Sequence, residues 1–319
     1  MPAYLPESVG MRFITTILLL SLLATACAGD ATTDGDPLAE ATVTATPVRT
    51  PVSTSDATAE PEPEPEPEPT PTPEPAAELS LTGTGLPEGT YTVVVDTTEG
   101  PGTASAAFDG LSSTVVLDGV DPVTITGFAL HAGEEPAGVP LLTGTADGMR
   151  ATLAADLPVD LSDAAGRYIL ATPTDGPNTN ETSGIWFVLI PRAPGLVLPV
   201  LEADWVYEGW VTVDGVHLTT GRFADPAGSD AFDGFSGDQG GPPLPGEDFI
   251  VNAPDGLTFP LDLSGATAFV TLEPADDPEP GPSGLTILTA EIPSPALDHE
   301  IYDMASLADD LPTVTVTIS

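Results

Sequence analysis

Short runs of β-branched and aromatic residues, separated by turn residues, fill the chain from residue 79 onward. Residues 91–95 and 205–213 are typical of these runs, and Asp214-Gly215 is typical of the turns between them. Runs of this length and composition predict β-strands, and Asp-Gly is a favoured hairpin turn. A sustained helical period is missing, and 295–311 is the one modest helical candidate. We therefore predict an all-β fold.

An internal repeat organises these runs. The matched segments, in chain order, are 91–96 with 207–214, Phe108 with Phe223, 157–162 with 259–264, and 168–170 with 269–270. A rival alignment matches 128–142 with the last hairpin of the second copy, so the boundaries within the first copy stay open. The collinear matches predict two tandem β-sandwich-like domains, at 79–192 and 193–319.

The N-terminus has the pattern of a lipoprotein signal. Met11-Arg12 precedes an apolar run over 13–23 and small residues that end at Cys27, the one cysteine of the chain. The run is too short for a comfortable membrane span and is typical of a secretory signal. We predict a signal peptide within 1–27, a translation start at Met11 and lipidation of Cys27. The alternative is a buried thiol at the end of a membrane anchor helix.

Residues 28–78 have a composition that cannot build a core. Proline alternates with glutamate over 60–69, and this pattern removes backbone donors and favours an extended polyproline II chain. The glutamates repel one another. We predict a disordered, acidic, proline-rich linker that holds the β domains away from a membrane. The alternative is a binding motif for a proline-recognising partner.

The charge balance excludes some functions. The chain has 49 Asp and Glu against 6 Lys and Arg, for a net charge of −43. A chain so acidic lacks the basic surface that nucleic-acid binding requires. One cysteine and three histidines cannot form a disulfide framework or a Cys/His zinc site. Because no catalytic motif stands out either, we predict a noncatalytic protein.

Two groups of side chains are candidates for binding. Trp205, Tyr207 and Trp210 lie on one aromatic strand, where they would present rings to a sugar or peptide, or else pack in the core.

The second group is an aspartate-glycine loop. Its aspartates, Asp225, Asp230, Asp233 and Asp238, alternate with glycines and offer oxygen ligands on a pliable backbone. Such a loop suits Ca²⁺, the one cofactor we consider, although its spacing fits no known calcium template. The alternative is a solvated loop.

The second copy resembles a known family. The residues that carry the resemblance are 207–215, 220–223, Val270-Thr271-Leu272-Glu273-Pro274 and Gly284-Leu285. They are similar to the C-terminal extracytoplasmic domain of anti-sigma-K factors, and the first copy is similar more weakly. The family's sigma-binding and transmembrane helices are replaced here by the lipoprotein signal. The resemblance therefore implies a sandwich-like sensor module and does not imply sigma-factor inhibition.

These features together predict a function class. We expect a lipid-anchored lipoprotein of the bacterial cell envelope, at the outer membrane or cell surface, whose β modules bind an envelope protein or a glycan. Two alternatives remain open. One is a structural surface protein without a ligand, and the other is a hydrolase that uses an unrecognised pair of carboxylates.

Overall fold

The computed structural model of the chain describes residues 76–108, 112–277 and 281–319. This part of the chain contains nineteen strands, one 3₁₀ turn at Pro122–Thr124 and no α-helix, so the all-β prediction is confirmed. The helical candidate at 295–311 is wrong, because a strand covers Tyr302–Ser306. The proposed signal peptide, with Cys27, lies outside the described residues.

The strands are short and follow one another closely. In chain order they are β1 (Ala76–Thr84), β2 (Gly89–Thr97), β3 (Gly102–Phe108), β4 (Ser112–Asp118), β5 (Ile125–Ala132), β6 (Leu142–Thr145), β7 (Arg150–Ala154), β8 (Ala165–Leu170), β9 (Gly184–Trp186), β10 (Val188–Leu189), β11 (Ala193–Pro194), β12 (Leu196–Val197), β13 (Trp205–Val213), β14 (Val216–Phe223), β15 (Gly246–Asp248), β16 (Thr267–Pro274), β17 (Thr286–Glu291), β18 (Tyr302–Ser306) and β19 (Thr313–Ile318). β1 includes the last three residues of the predicted linker, 76–78.

The first sheet has eight antiparallel strands in the order β3-β2-β5-β6-β7-β19-β1-β4. Its two end strands, β3 and β4, lie beside each other, so the sheet nearly closes on itself. Side chains on β1 and β19 alternate between buried and exposed, as the period of two along a strand requires. Leu79, Leu81, Val314 and Val316 therefore point into the core.

The second sheet repeats this design. Its strand order is β14-β13-β16-β17-β18-β8-β9-β15, with β12 added on β8, and its end strands β14 and β15 also lie beside each other. β10 and β11 pair only with each other, and β10 lies next to β8 of the second sheet. The protein thus has two β-sandwich-like units.

The two sheets share one strand order when β1–β7 are matched with β9 and β13–β18. β19, the last strand of the chain, then matches β8. β19 lies between β7 and β1 in the first sheet, and β8 lies between the matching strands β18 and β9 in the second. All strands of the second sheet lie between β7 and β19 in the chain. The sheets therefore divide the chain differently from a boundary after residue 192, because β8 and β9 precede that residue and pair in the second sheet.

The structure also selects between the two repeat alignments. Tyr91 and Tyr207 are the third residues of β2 and β13, and each buried hydroxyl donates to an upstream proline carbonyl, of Pro87 and Pro199, at 3.0 Å. The two tyrosines therefore occupy equivalent positions, as the first half of the alignment has them. For the rest, the strand order matches β5 with β16, as the rival alignment has it, and not β8 with β16.

Candidate ligand groove on the second sheet

A small apolar cluster covers the outer face of the second sheet. Tyr168 and Leu170 of β8 point into the main core, while Ile169 between them points outward. Trp186 and Val188 face outward in the same way on the neighbouring segment, where Ile185 and Phe187 face inward. Ala171 and Leu244 complete the outer cluster. The second sheet is therefore buried on both faces here.

The cover over this cluster is incomplete, and an open pocket of about 300 Å³ lies against it. Ile169, Trp186 and Val188 form its floor, three prolines form its walls, and Ile190 and Arg192 lie on its rim. We call this pocket the Trp186 groove. Its proline walls are Pro173, Pro191 and Pro242, and His299 lies at one end. Its size is at the lower end of the range for ligand pockets.

The indole of Trp186 is held in a fixed orientation. Its Nε1 donates to Oδ1 of Asp248 at 2.7 Å, and the other carboxylate oxygen accepts from the backbone N and the hydroxyl of Thr174. Burial raises the pKa of Asp248, and these hydrogen bonds oppose the shift. Gly241 lies so close to the ring that a Cβ there would be 2.3 Å from it. The floor of the groove is thus built before any ligand arrives.

The rim carries an unpaired positive charge. In the described part of the chain, the arginine ion pairs join Arg167 to Asp303 and Arg222 to Glu208, and Arg192 takes part in none. An unpaired guanidinium in so acidic a protein favours an acidic group on whatever enters the groove.

His299 ends the groove on the other side. Its backbone N–H donates to the Leu170 carbonyl at 2.8 Å, and it has a left-handed backbone, at φ 58°. One ligand atom each from Glu181, Asp298 and His299 lie within 4.8 Å of one another. In the residues that the structure describes, this is the one set of three such side chains at that spacing. The carboxylate of Glu181 already accepts from the backbone N of Asn178 and of Thr172.

Exposed apolar side chains concentrate in two segments that contain rim residues of the groove. Ile190 itself is 52 % exposed. The others in these segments are Val197, Val200, Leu297 and Ile301. Of these residues Ile190 lines the groove itself, and exposed apolar groups at a groove mark interaction surfaces more often than isolated ones do.

The structure places the predicted aromatic group in the interior. Trp205, Tyr207 and Trp210 are 7 %, 0 % and 2 % exposed. Trp210 stacks on Phe269 and donates its Nε1 to the Thr271 hydroxyl at 2.9 Å. None of the three presents a ring face to solvent, and their positions are those of the core-packing alternative.

In the described residues, the four predicted aspartates supply no set of three ligand atoms close enough to share an ion, although Asp230 and Asp233 line one pocket. Asp225, Asp233 and Asp238 are exposed, and Oδ1 of Asp225 accepts from the backbone N of Ala227. Asp230 is half-buried, and its two oxygens accept from backbone N–H groups at 2.8 and 3.1 Å. Three of the four predicted ligands are therefore solvated.

Sequence reasoning missed Trp186, Asp248 and Arg192. The run 185–190 is apolar on both faces, so no alternation marks Trp186 as an outward-facing residue. The partner of its indole lies 62 residues away. The one available signal was a tryptophan followed closely by an arginine in a chain that is poor in both.

Searches of protein-family models, of curated proteins and of solved structures find no match to this chain. The fold and the groove thus define its class, which is a protein of two related β-sandwich-like units with an open apolar groove on the second. The similarity to anti-sigma-K factors stays a prediction. In the described ranges, no helix has the length and apolar character needed to cross a membrane.

Proposed function

We propose that this chain is a lipid-anchored protein of the bacterial cell envelope, and that its second β unit holds a segment of a partner protein in the Trp186 groove. The anchor part rests on the signal pattern that ends at Cys27, and the linker 28–78 would give the β units their distance from the membrane. The binding part rests on one observation, which is the open apolar groove with the exposed Ile190 on its rim.

The lining of the groove favours a peptide segment over a glycan. Aliphatic and prolyl side chains make up most of the surface, and Gly241 lies against the indole of Trp186. Sugars bind to exposed ring faces and to arrays of polar groups, whereas an apolar side chain gains from burial on such a floor. Arg192 would then pair with an acidic residue beside that side chain.

A photo-crosslinking residue at Ile190, in cells that make the full chain, tests the groove. We expect an adduct with one envelope protein, and we expect Arg192→Glu to weaken it because the reversed charge repels an acidic segment. Val116 is the matched control position, since it is 54 % exposed on the first sheet. Equal adducts at both positions, an adduct that ignores Arg192→Glu, or no adduct at all would favour a structural surface protein instead.

The anchor has its own test. We expect Cys27→Ala to abolish labelling of the protein by radioactive fatty acid and to leave the uncleaved precursor in the cell, because the thiol is the acceptor. Labelling is measured on the immunoprecipitated full chain, with the unaltered protein as the reference. Unchanged labelling of the variant would disprove lipidation at Cys27 and leave the groove proposal intact.

A further inference from the structure

Three carboxylates lie on or beside β15, where the second sheet closes. Glu247 and Asp248 are consecutive residues of β15, and both are fully buried. Asp230 reaches the same strand from the preceding loop, because its Oδ2 accepts from the backbone N of Gly246 at 3.1 Å. Its other side lies against β14, where a Cβ at Gly221 would be 2.3 Å from Oδ1. Asp230 therefore bridges the two end strands of the sheet.

The two carboxylates of β15 have opposite surroundings. Asp248 points to the outer face and accepts hydrogen bonds from Trp186 and Thr174. Glu247 points the other way, since neighbours on a strand alternate, and it lies opposite the buried Ile185 on β9. Both of its carboxylate oxygens are buried and have no hydrogen-bond partner.

Two polar groups lie near Glu247 but form no hydrogen bond with it. The Ser236 hydroxyl and the Phe235 backbone N–H lie nearby but do not reach hydrogen-bond geometry with its oxygens. Burial raises the pKa of this carboxyl to about 8, and the charges of Asp230 and Asp248 add to the rise. A buried carboxylate in this state needs a proton or a cation.

Among the residues that the structure describes, no arginine forms an ion pair with these three carboxylates. In the described residues, the two arginines in ion pairs bind Asp303 and Glu208, and neither pair includes Asp230, Glu247 or Asp248. A buried charge that has lost its partner is strongly destabilising. An ionised Glu247 would be such a charge in the unaltered protein.

The surroundings suit a metal ion that prefers oxygen. A polar pocket of about 360 Å³ is lined by Asp230, Asp233, Ser236 and Gly246. Gly246 is the residue before Glu247, so the pocket reaches to within one residue of the buried carboxylate. Carboxylates, a hydroxyl, backbone carbonyls and water are the ligands that Ca²⁺ takes in proteins.

We propose that a calcium ion binds between Glu247 and Asp230, where it closes the second sheet by joining β15 to the loop that packs on β14. Ser236 would supply a further oxygen, and Asp233 would attract the ion at the mouth of the pocket. The site shares only Asp230 and Asp233 with the aspartates predicted from sequence, and its central ligand is Glu247. It stands independently of the groove proposal.

The test is thermal unfolding of the full chain, stripped with chelator and then titrated with CaCl₂. We expect the midpoint to rise by about 5 °C or more once calcium exceeds its dissociation constant a hundredfold. Glu247→Gln should lose this response. Asp225→Asn should keep it, because Asp225 is an exposed aspartate of the same loop.

Two results would overturn the proposal. An equal calcium response in Glu247→Gln would mean that ions bind at the acidic surface. No response in the unaltered chain, with Glu247→Gln more stable in chelator, would mean that Glu247 holds a proton.

Terbium luminescence keeps the proposal falsifiable if Glu247→Gln does not fold. In the unaltered chain, terbium excited through nearby aromatic rings should saturate at one ion per chain and be displaced by calcium. Binding that does not saturate at one ion would also overturn the proposal.

Discussion

At the scale of single residues, the aromatic strand β13 has a structural explanation. Trp210 donates to the hydroxyl of Thr271, and that hydroxyl donates to the carboxylate of Glu273. Glu273 is fully buried and also accepts from the backbone N of Ser283 at 3.0 Å. The Leu272-Glu273-Pro274 segment that supports the family resemblance is therefore part of a buried hydrogen-bond network.

Glu273 should make stability depend on pH. Burial raises its pKa from 4.5 to about 7, although the Thr271 and Ser283 hydrogen bonds oppose the shift. The stability that this residue contributes is full below pH 4.5 and is lost as pH rises to about 7, because the folded state then holds the charge at a cost. As pH rises from 4.5 to about 7, we therefore expect the free energy of unfolding of Glu273→Gln to increase by about 3 kcal/mol relative to that of the unaltered chain.

Denaturant titrations of both proteins at pH 4.5, 6 and 8 measure this gain. Other titrating groups occur in both proteins and cancel in the difference. Glu202→Gln is the control, since Glu202 is exposed on the surface before β13. If the free energies of unfolding of Glu273→Gln and of the unaltered chain differ by the same amount at every pH, Glu273 ionises as easily in the folded state as in the unfolded one.

At the scale of elements, local patterns were enough to predict the hairpins. The β2–β3 and β13–β14 pairs are antiparallel hairpins whose second strands end at Phe108 and Phe223, the two residues that the repeat matches. The helix expected at 295–311 failed for a non-local reason. Met304 is the one buried residue of β18, and the pairing of β18 with β17 and β8 fixes it as a strand.

The site could be predicted less well than the fold. The groove depends on residues that meet across long separations, such as Trp186 with Asp248 and Leu170 with His299. Composition located the acidic loop but could not show that Asp230 alone among its predicted aspartates turns inward, because that depends on the closure of β14 on β15. Glu247 gave no signal, since one acidic residue among 49 is unremarkable in a single sequence.

At the scale of the whole molecule, the second unit interrupts the first. β7 is followed by every strand of the second sheet before the chain returns as β19 between β7 and β1. β8 takes within the second sheet the place that β19 takes within the first. Two copies of one design are thus related by the position of a single strand, which comes last in one copy and first in the other.

This arrangement predicts which fragments of the chain can fold. Residues 157–311 carry all strands of the second sheet, so we expect that fragment to unfold cooperatively. Residues 193–319 lack the neighbouring strands β8 and β9, so the edges of β18 and β15 and the core side chains between them are exposed. This fragment also ends in β19, which has none of its partners there. Circular dichroism during thermal unfolding measures both. A cooperative transition in 193–319, and none in 157–311, would mean that the tandem boundary after residue 192 describes the folding units better than the sheets do.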